Sequence, residues 1–266
     1  MTSVIAEIGW NHMGDMSLAE EMISQASESG AKFAKFQTWS VKRLKNGEWD
    51  NDGRRQIYEK AELSIEDHEL LINLCEKHKI NFLSSCFSLE DAKLLKGLNQ
   101  KEIKIPSFEV RNVDLLKFCF SNFEHVFVST GTANQLDLNN LKELIKNHSA
   151  TVMHCVSSYP CNVENANLPR IASLSEMFED VGYSDHVGGI DASIAALEYM
   201  PSFIEKHFTI DNDLPGRDNK FAILPDDFAT ISKYRDSYLK MNLDKGLDLQ
   251  ECEKDIYNNY RGRWSK

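Results

Sequence analysis

The stretch Val4–Gln37, VIAEIGWNHMGDMSLAEEMISQASESGAKFAKFQ, decides the fold that this sequence predicts. It opens with a short apolar run, Val4–Ile8, and closes with a second one, Phe33–Gln37. Between them, Leu18–Ser29 repeats apolar residues at the spacing of one helix face. Two strands joined by such a helix are expected to pair in parallel, because parallel neighbours need a crossover connection.

The same alternation continues along the chain. Six further strands are predicted, at Ile80–Ser84, Glu102–Ile105, His125–Ser129, Thr151–Cys155, Asp180–Tyr183 and Ser202–His207. The helical patterns are Ile65–His78, Leu89–Leu98, Val113–Ser121, Gln135–Asn147, Leu168–Phe178, Asp191–Tyr199 and Pro225–Met241. Eight strand–helix units in 266 residues predict an α/β fold, a closed (β/α)8 or TIM barrel. We expect one catalytic domain over residues 1–266, with its core at about 4–242 and a C-terminal extension at 243–266.

Composition excludes several classes of protein. The 30 basic residues are outnumbered by 41 acidic ones, and the net charge of −11 argues against a nucleic-acid binder. No run approaches the roughly 18 apolar residues of a membrane span, and the N-terminus lacks the apolar core of a signal peptide. The six cysteines form no CxxC pair. We therefore expect a cytoplasmic protein with reduced thiols that binds neither nucleic acid nor membrane.

One connection is unusually long. Residues Trp39–Leu63 follow the second predicted strand and include a charged stretch, Lys45–Arg55. A long connection at this end of a barrel lies over the active-site face and often acts as a lid. The alternative, given equal weight, is a solvent-exposed surface loop that does not act as a lid.

Polar side chains stand where every predicted strand ends, which is the catalytic face of such a barrel. Two of them are lysines, Lys35 and Lys104. They arrive with the hydroxyls of Ser85, Ser107, Ser129 and Ser184. Ammonium groups among hydroxyl donors suit a compact oxyanion such as a phosphate or a carboxylate. The alternative for either lysine is a structural ion pair with Glu7 or Glu109.

Two histidines, His186 and His207, close consecutive strands. Adjacent strands lie about 4.8 Å apart, so both imidazoles could reach one divalent cation. Asp185 is a candidate to orient His186. Alternation places Glu205 on the same side of its strand as His207 and Lys206 on the other side, which makes Lys206 a weak Schiff-base candidate.

Several segments at the strand ends form a recognisable set: IAEIGWNHMG at Ile5–Gly14, KFQT at Lys35–Thr38, KIPSFE at Lys104–Glu109, STG at Ser129–Gly131, HCVSSYP at His154–Pro160, GYSDH at Gly182–His186, IEKHFT at Ile204–Thr209 and LPGRD at Leu214–Asp218. Together these segments resemble the N-acetylneuraminate synthase family. The resemblance implies a TIM barrel with a divalent metal, usually Mn²⁺ or Mg²⁺. It also implies condensation of phosphoenolpyruvate with an acylamino hexose, either N-acetylmannosamine or a diamino-trideoxy relative. The products would be phosphate and a nine-carbon ulosonic acid of the sialic, legionaminic or pseudaminic type.

The resemblance also assigns roles to individual residues. It gives the metal to His186 and His207. It gives phosphoenolpyruvate to Lys35, Ser85, Lys104, Ser107, Ser129, Ser157 and Ser184. It gives the sugar to Glu7, Gln37, Glu109, Tyr159 and Asp218. Lys35 and Lys104 would stabilise the redistributing charge, and Glu7 or Glu109 would position or deprotonate the attacking water.

The sequence departs from the family pattern at a few points. Phe108 is more similar to pseudaminic acid synthases, and Arg217 stands where proline is common. The family usually continues into an antifreeze-like domain, which we do not find after the stretch Tyr260–Trp264. We therefore expect a barrel alone, with a homodimer or a separate antifreeze-like protein as possible partners.

Two alternatives remain open from the sequence. The first is a pyruvate-type aldolase or lyase that uses Lys35 or Lys104 as a Schiff base. The second is a barrel that binds a phosphosugar without turning it over.

Overall fold

The structure is a computed structural model that describes the backbone of residues 2–264 and the side chains of all of these except residue 49. Eight parallel strands form a closed barrel in sequence order. The strands are β1 (Ser3–Gly9), β2 (Phe33–Thr38), β3 (Asn81–Cys86), β4 (Glu102–Ile105), β5 (His125–Ser129), β6 (Ala150–His154), β7 (Val181–Asp185) and β8 (Phe203–His207). The predicted TIM barrel is confirmed.

Ten α-helices lie within the described residues. They are α1 (Met16–Glu28), α2 (Arg54–Ala61), α3 (Ile65–Lys77), α4 (Leu89–Gly97), α5 (Val113–Asn122), α6 (Gln135–Ile145), α7 (Pro169–Ser175), α8 (Asp191–Ala196), α9 (Pro225–Met241) and α10 (Lys254–Asn259). The start of α3 shows why such boundaries are readable from sequence. The backbone N–H of Asp67 donates to Ser64 Oγ at 3.0 Å, and the Ser64 N–H donates to Asp67 Oδ2 at 2.9 Å.

Alternation along the strands divides the barrel into an apolar layer and a polar layer. Five inward-facing apolar side chains fill the lower interior: Ile5, Phe33, Leu83, Phe127 and Met153. Successive residues of a strand point to opposite faces, so the side chain two positions further on faces the same way. The residues two positions beyond the first four are Glu7, Lys35, Ser85 and Ser129. The polar layer therefore lies directly above an apolar plug, at the carboxyl end of the strands.

The long connection after β2 covers this carboxyl end. Trp39 makes ring contacts with Trp10 at 5.9 Å, with Tyr58 at 5.8 Å and with Phe87 at 5.8 Å between centroids. The connection also contains α2, which the sequence patterns did not predict. The aromatic residues Trp39 and Tyr58 pack on the barrel mouth, whereas most of residues 42–53 are exposed, so each alternative describes one part of the connection.

After α9, residues 243–264 extend away from the barrel. Their large apolar side chains, such as Leu247 and Ile256, are exposed. Among the described residues, no helix is long and apolar enough to cross a membrane.

Candidate active site

A cluster of two lysines and two glutamates occupies the polar layer. Lys35 Nζ lies 2.5 Å from Glu7 Oε2 and 3.7 Å from Glu205 Oε2. Lys104 Nζ lies 2.8 Å from the same Glu205 oxygen. All four side chains are buried, so two positive and two negative charges balance within a water-poor interior.

The pKa shifts follow from this arrangement. Burial disfavours the charge on Glu205, but Lys104 and Lys35 outweigh burial and lower the pKa of Glu205 to about 2. Burial also opposes the charge on Lys35, yet Glu205 and Glu7 together raise the pKa of Lys35. Burial dominates at the other two members, raising the pKa of Glu7 and lowering the pKa of Lys104. Burial therefore disfavours the ionised forms of Glu7 and Lys104, whereas the neighbouring opposite charges favour those of Glu205 and Lys35.

Serine hydroxyls surround the cluster. Lys35 Nζ donates to Ser85 Oγ at 3.0 Å, and Ser184 Oγ donates to Glu205 Oε1 at 2.8 Å. Ser129 is buried at the end of β5. The predicted meeting of lysines and hydroxyls is thus present in the structure.

A second set of small polar groups lies around Gly131. Its backbone N–H donates to Ser107 Oγ at 3.3 Å, and Ser107 Oγ lies 3.0 Å from Cys155 Sγ. A Cβ at position 131 would come within 2.3 Å of Ser157 Oγ and 2.9 Å of Ser107 Oγ. Glycine therefore leaves room for a ligand or a neighbouring hydroxyl to approach the backbone here.

The two histidines face each other beside the cluster. The ring centroids of His186 and His207 are 5.5 Å apart. His186 Nδ1 lies 2.8 Å from the carbonyl oxygen of Val156, which fixes the ring. Burial lowers the pKa of His186 to about 4, and burial together with His186 lowers the pKa of His207 well below its usual range. Both rings are therefore neutral and able to ligate a metal.

The donor set near these rings fits a metal that takes its remaining ligands from substrate and water. His207 Nδ1 is buried without a hydrogen-bond partner and lies 3.7 Å from Asp218 Oδ2. Burial raises the pKa of Asp218 to about 7. No group of three or more His, Cys, Asp or Glu side chains arranged to hold a metal occurs among the described residues. The two neutral imidazoles could by themselves supply only two ligands to a metal ion.

The residues assigned to the sugar divide into two groups. The first group is Glu7 and Gln37. Gln37 Nε2 donates to Glu7 Oε1 at 2.6 Å, so Gln37 lies beside the cluster of lysines and glutamates to which Glu7 belongs. The ring of Tyr159 lies 4.3 Å from the His186 ring and 6.0 Å from the His207 ring. Tyr159 therefore belongs to a second group around the histidines, together with Asp218, whose Oδ2 lies 3.7 Å from His207 Nδ1.

Glu109, the remaining residue assigned to the sugar, is held by its own turn. It is half-buried in the 3₁₀ turn after β4, and its Oε2 accepts from Asn112 Nδ2 at 2.8 Å. No hydrogen bond or ion pair joins it to Lys104 or Lys35 within the described part of the chain. The structural pairing considered for the lysines therefore involves Glu7 and Glu205.

Asp185 does not orient His186, contrary to the expectation from sequence. Its carboxylate accepts from Lys206 Nζ at 2.9 Å, from Ser193 Oγ at 2.6 Å and from Tyr183 Oη at 3.1 Å. This buried network lies on the outer face of β7 and β8, because alternation turns Asp185 and Lys206 away from the barrel interior. Lys206 is therefore committed to a structural ion pair and is no Schiff-base candidate.

Glu205 is the site residue that sequence reasoning did not assign. The sequence did indicate that Glu205 faces the barrel interior, because it lies two residues before His207 on the same strand. Its contact with Lys104 joins β8 to β4 across the barrel, and no sequence pattern reports such a pairing.

The closed (β/α)8 barrel gathers a lysine–glutamate cluster and a histidine pair at the carboxyl end of its strands, which is where TIM-barrel enzymes have their active sites. The chain matches the NeuB family over residues 22–242 and belongs to that family.

Individual relatives support this assignment. The chain is 37% identical to N,N'-diacetyllegionaminic acid synthase of Campylobacter jejuni over 247 residues, which cover 86% of this chain and 74% of the relative. It is 34% identical to pseudaminic acid synthase of Helicobacter pylori, over 83% of this chain and 69% of that one. An N-acetylneuraminic acid synthetase structure from Leptospira borgpetersenii, in complex with citrate, superposes with a TM-score of 0.88 at 31% identity, covering 98% of this chain and 93% of that chain. The chain is accordingly an enzyme of the synthase type.

Proposed function

We propose that this enzyme condenses phosphoenolpyruvate with an acylamino hexose to give a nine-carbon ulosonic acid and phosphate. The observation that carries the proposal is the buried cluster of Lys35, Lys104, Glu7 and Glu205 beside the histidine pair. The synthases of legionaminic and pseudaminic acids among the relatives support the product class.

Phosphoenolpyruvate would occupy the lysine cluster and the hydroxyls around it. Its phosphate and its carboxylate are two anionic ends, and Lys35 and Lys104 supply two buried cations. The hydroxyls of Ser107 and Ser157, which lie against Gly131, would donate to one of these ends. Because the lysines are already held by glutamates, they do not reorganise as charge moves during the reaction.

The acceptor sugar would lie between the lysine cluster and the histidines, against Glu7, Gln37, Tyr159 and Asp218. His186 and His207 would hold a divalent ion, Mn²⁺ or Mg²⁺, which when bound polarises the aldehyde oxygen of the open-chain sugar. Both the binding of a metal ion and its identity as Mn²⁺ or Mg²⁺ are part of the proposal.

The chain's own residues then account for the bond changes. C3 of the enolpyruvate forms a bond to the aldehyde carbon, and the aldehyde oxygen gains a proton. Water adds at C2 and loses one proton, which balances the proton gained by the aldehyde oxygen. The C2–O bond to phosphate then breaks as C2 becomes a carbonyl, and the second proton of the water leaves with the phosphate. Glu7 is suited to position this water and accept its proton, because burial raises the pKa of Glu7 and Gln37 fixes its carboxylate.

A phosphate-release assay tests the proposal. Purified protein, phosphoenolpyruvate and a panel of acylamino hexoses are combined with Mn²⁺, with Mg²⁺ or with a chelator. We expect release that needs both the sugar and the metal. His207→Ala should abolish metal-dependent turnover while leaving the circular dichroism spectrum unchanged.

Two outcomes would contradict the proposal. Borohydride trapping of a pyruvate adduct on Lys35 or Lys104 would indicate a Schiff-base aldolase. Tight phosphosugar binding without phosphate release for any sugar would indicate a binding protein. Wild-type activity in His207→Ala would refute the metal assignment alone.

A cytoplasmic location is also proposed, since each of the six cysteines, all within the described residues, is free. The homodimer and the separate antifreeze-like partner stay predictions.

A further inference from the structure

A cavity of about 550 Å³ adjoins the site but includes none of the residues assigned above. It lies between the connection after β2 and the connection after β8. Its lining residues are Asp52, Arg54, Ile57, Asp213, Leu214, Pro215, Gly216, Arg217 and Lys220.

The cavity begins where the proposed sugar site ends. Asp218 points towards His207, with 3.7 Å between Oδ2 and Nδ1, whereas Arg217 lines the cavity. Asp218 and Arg217 are consecutive residues, whose Cα atoms are about 3.8 Å apart, so the cavity adjoins the proposed sugar site. A sugar whose aldehyde faces His207 would therefore direct its other end towards Arg217.

The turn that carries Arg217 is held firmly. Asn219 is buried, and its Nδ2 donates to the carbonyl oxygens of Asn11 at 3.1 Å and Pro215 at 2.8 Å. Gly216 adopts a φ of +118°, which few other residues tolerate. The Arg217 side chain itself makes no hydrogen bond or ion pair with any residue that the structure describes. The guanidinium is thus presented on a fixed backbone with its donors available.

We propose that this cavity binds a second acylamino substituent of the acceptor sugar and that Arg217 determines specificity for it. An acylamino group offers a carbonyl oxygen, an N–H and an apolar methyl group. Arg217 donates to the carbonyl oxygen, the Asp213 carboxylate accepts from the N–H, and Ile57 with Leu214 contacts the methyl group. This inference rests on the proposed function, because it assumes a sugar at Asp218.

The charges of the cavity favour a neutral group over an anionic one. Three cationic side chains, Arg54, Arg217 and Lys220, are opposed by two acidic ones, Asp52 and Asp213, so the lining carries a single excess positive charge. Arg54 Nε already donates to Asp52 Oδ2 at 2.7 Å. A phosphate would therefore meet little net positive charge here, whereas an amide matches the mixture of donor, acceptor and apolar surface.

Arg217→Met tests the inference because it keeps the length of the side chain and removes its donors. The values of kcat and KM are measured with two acceptors, N-acetylmannosamine and a 2,4-diacetamido-2,4,6-trideoxyhexose. We expect kcat/KM for the diacetamido sugar to fall at least about tenfold, as for loss of a hydrogen bond from a charged donor. The value for N-acetylmannosamine should change less than about twofold. Arg261→Met, in the exposed C-terminal segment, is the matched control and should change neither value.

Calorimetric titration of both sugars separates this inference from the proposed function. If wild-type protein binds the diacetamido sugar without releasing phosphate, the proposed function fails, while selective weakening in Arg217→Met still supports the cavity assignment. Equal losses for both sugars, no loss for either, or no binding of the diacetamido sugar would overturn it. So would a preference for N-acetylmannosamine 6-phosphate that Arg217→Met removes, since that would assign the cavity to an anion.

Discussion

The substitution Glu205→Gln is the most stringent test of the lysine–glutamate cluster. Glutamine keeps the shape of the side chain and can still accept from Ser184, which donates to Glu205 Oε1 at 2.8 Å. It removes the carboxylate that lies 2.8 Å from Lys104 Nζ and 3.7 Å from Lys35 Nζ. Lys35 retains Glu7, but Lys104 loses the carboxylate with which it pairs among the described residues.

The expected cost follows from the burial of Lys104, whose side chain is 2% exposed. Breaking a buried ion pair by removing one partner typically lowers the free energy of unfolding by about 3–5 kcal/mol. Burial already lowers the pKa of Lys104, so the lysine can shed its proton and limit the loss to the lower end of that range. A loss of about 3 kcal/mol corresponds to a fall of roughly 6–12 °C in the unfolding temperature of a chain this size.

Thermal unfolding followed by circular dichroism, with and without phosphoenolpyruvate, measures this effect. Phosphoenolpyruvate should raise the unfolding temperature more in Glu205→Gln than in the wild type, because the ligand supplies the missing negative charge. The matched control is Glu124→Gln, which removes an exposed pair with Lys101 at 3.2 Å and should leave the temperature nearly unchanged.

The reasoning is refuted if Glu205→Gln unfolds within about 2 °C of the wild type. It is also refuted if phosphoenolpyruvate stabilises both proteins equally, since the cluster would then not be the ligand's binding site.

Two further predictions concern the rim of the site. Burial lowers the pKa of His12 to about 4 in the folded protein. Below pH 6.5 His12 is therefore protonated in the unfolded chain but stays neutral in the folded protein. The free energy of unfolding consequently falls as the pH drops. His12→Gln should lose about 2 kcal/mol less stability than the wild type between pH 7 and pH 5 in urea titrations, and equal losses would contradict this. Gly131→Ala should raise KM for phosphoenolpyruvate at least about tenfold, because the new Cβ would clash with Ser157 Oγ. Gly97→Ala, where nothing lies within 4 Å, is its control, and an unchanged KM in Gly131→Ala would remove Gly131 from the substrate site.

The barrel was predictable because its strands carry two signals at once. Each is a short apolar or β-branched run, and each is followed by a helical pattern with a readable start, as at Ser64 and Asp67. Helix α2 was missed for a physical reason. It buries only Ala61, begins after Gly53 without a side-chain cap and has just two further apolar or aromatic residues, Ile57 and Tyr58, so periodicity could not reveal it.

The sequence predicted which residues of the candidate site lie at the same end of the barrel, but not which of them pair with each other. Strand ends brought the lysines, serines and histidines to one face, because all parallel strands end at the same side of the barrel. The pairing of Lys104 with Glu205 crosses the barrel interior, and the pairing of Asp185 with Lys206 occurs outside it. Both depend on side-chain direction in three dimensions, which sequence order does not encode.

The most direct test of the proposed condensation uses phosphoenolpyruvate labelled with ¹⁸O at its bridging oxygen. The labelled compound is incubated with the enzyme, a divalent metal and an acylamino hexose, and the products are analysed by mass spectrometry. We predict equal amounts of phosphate and a nine-carbon ulosonic acid, with the label in the phosphate, because the C2–O bond breaks. Label retained in the acid, or phosphate formed without the acid, would contradict the account.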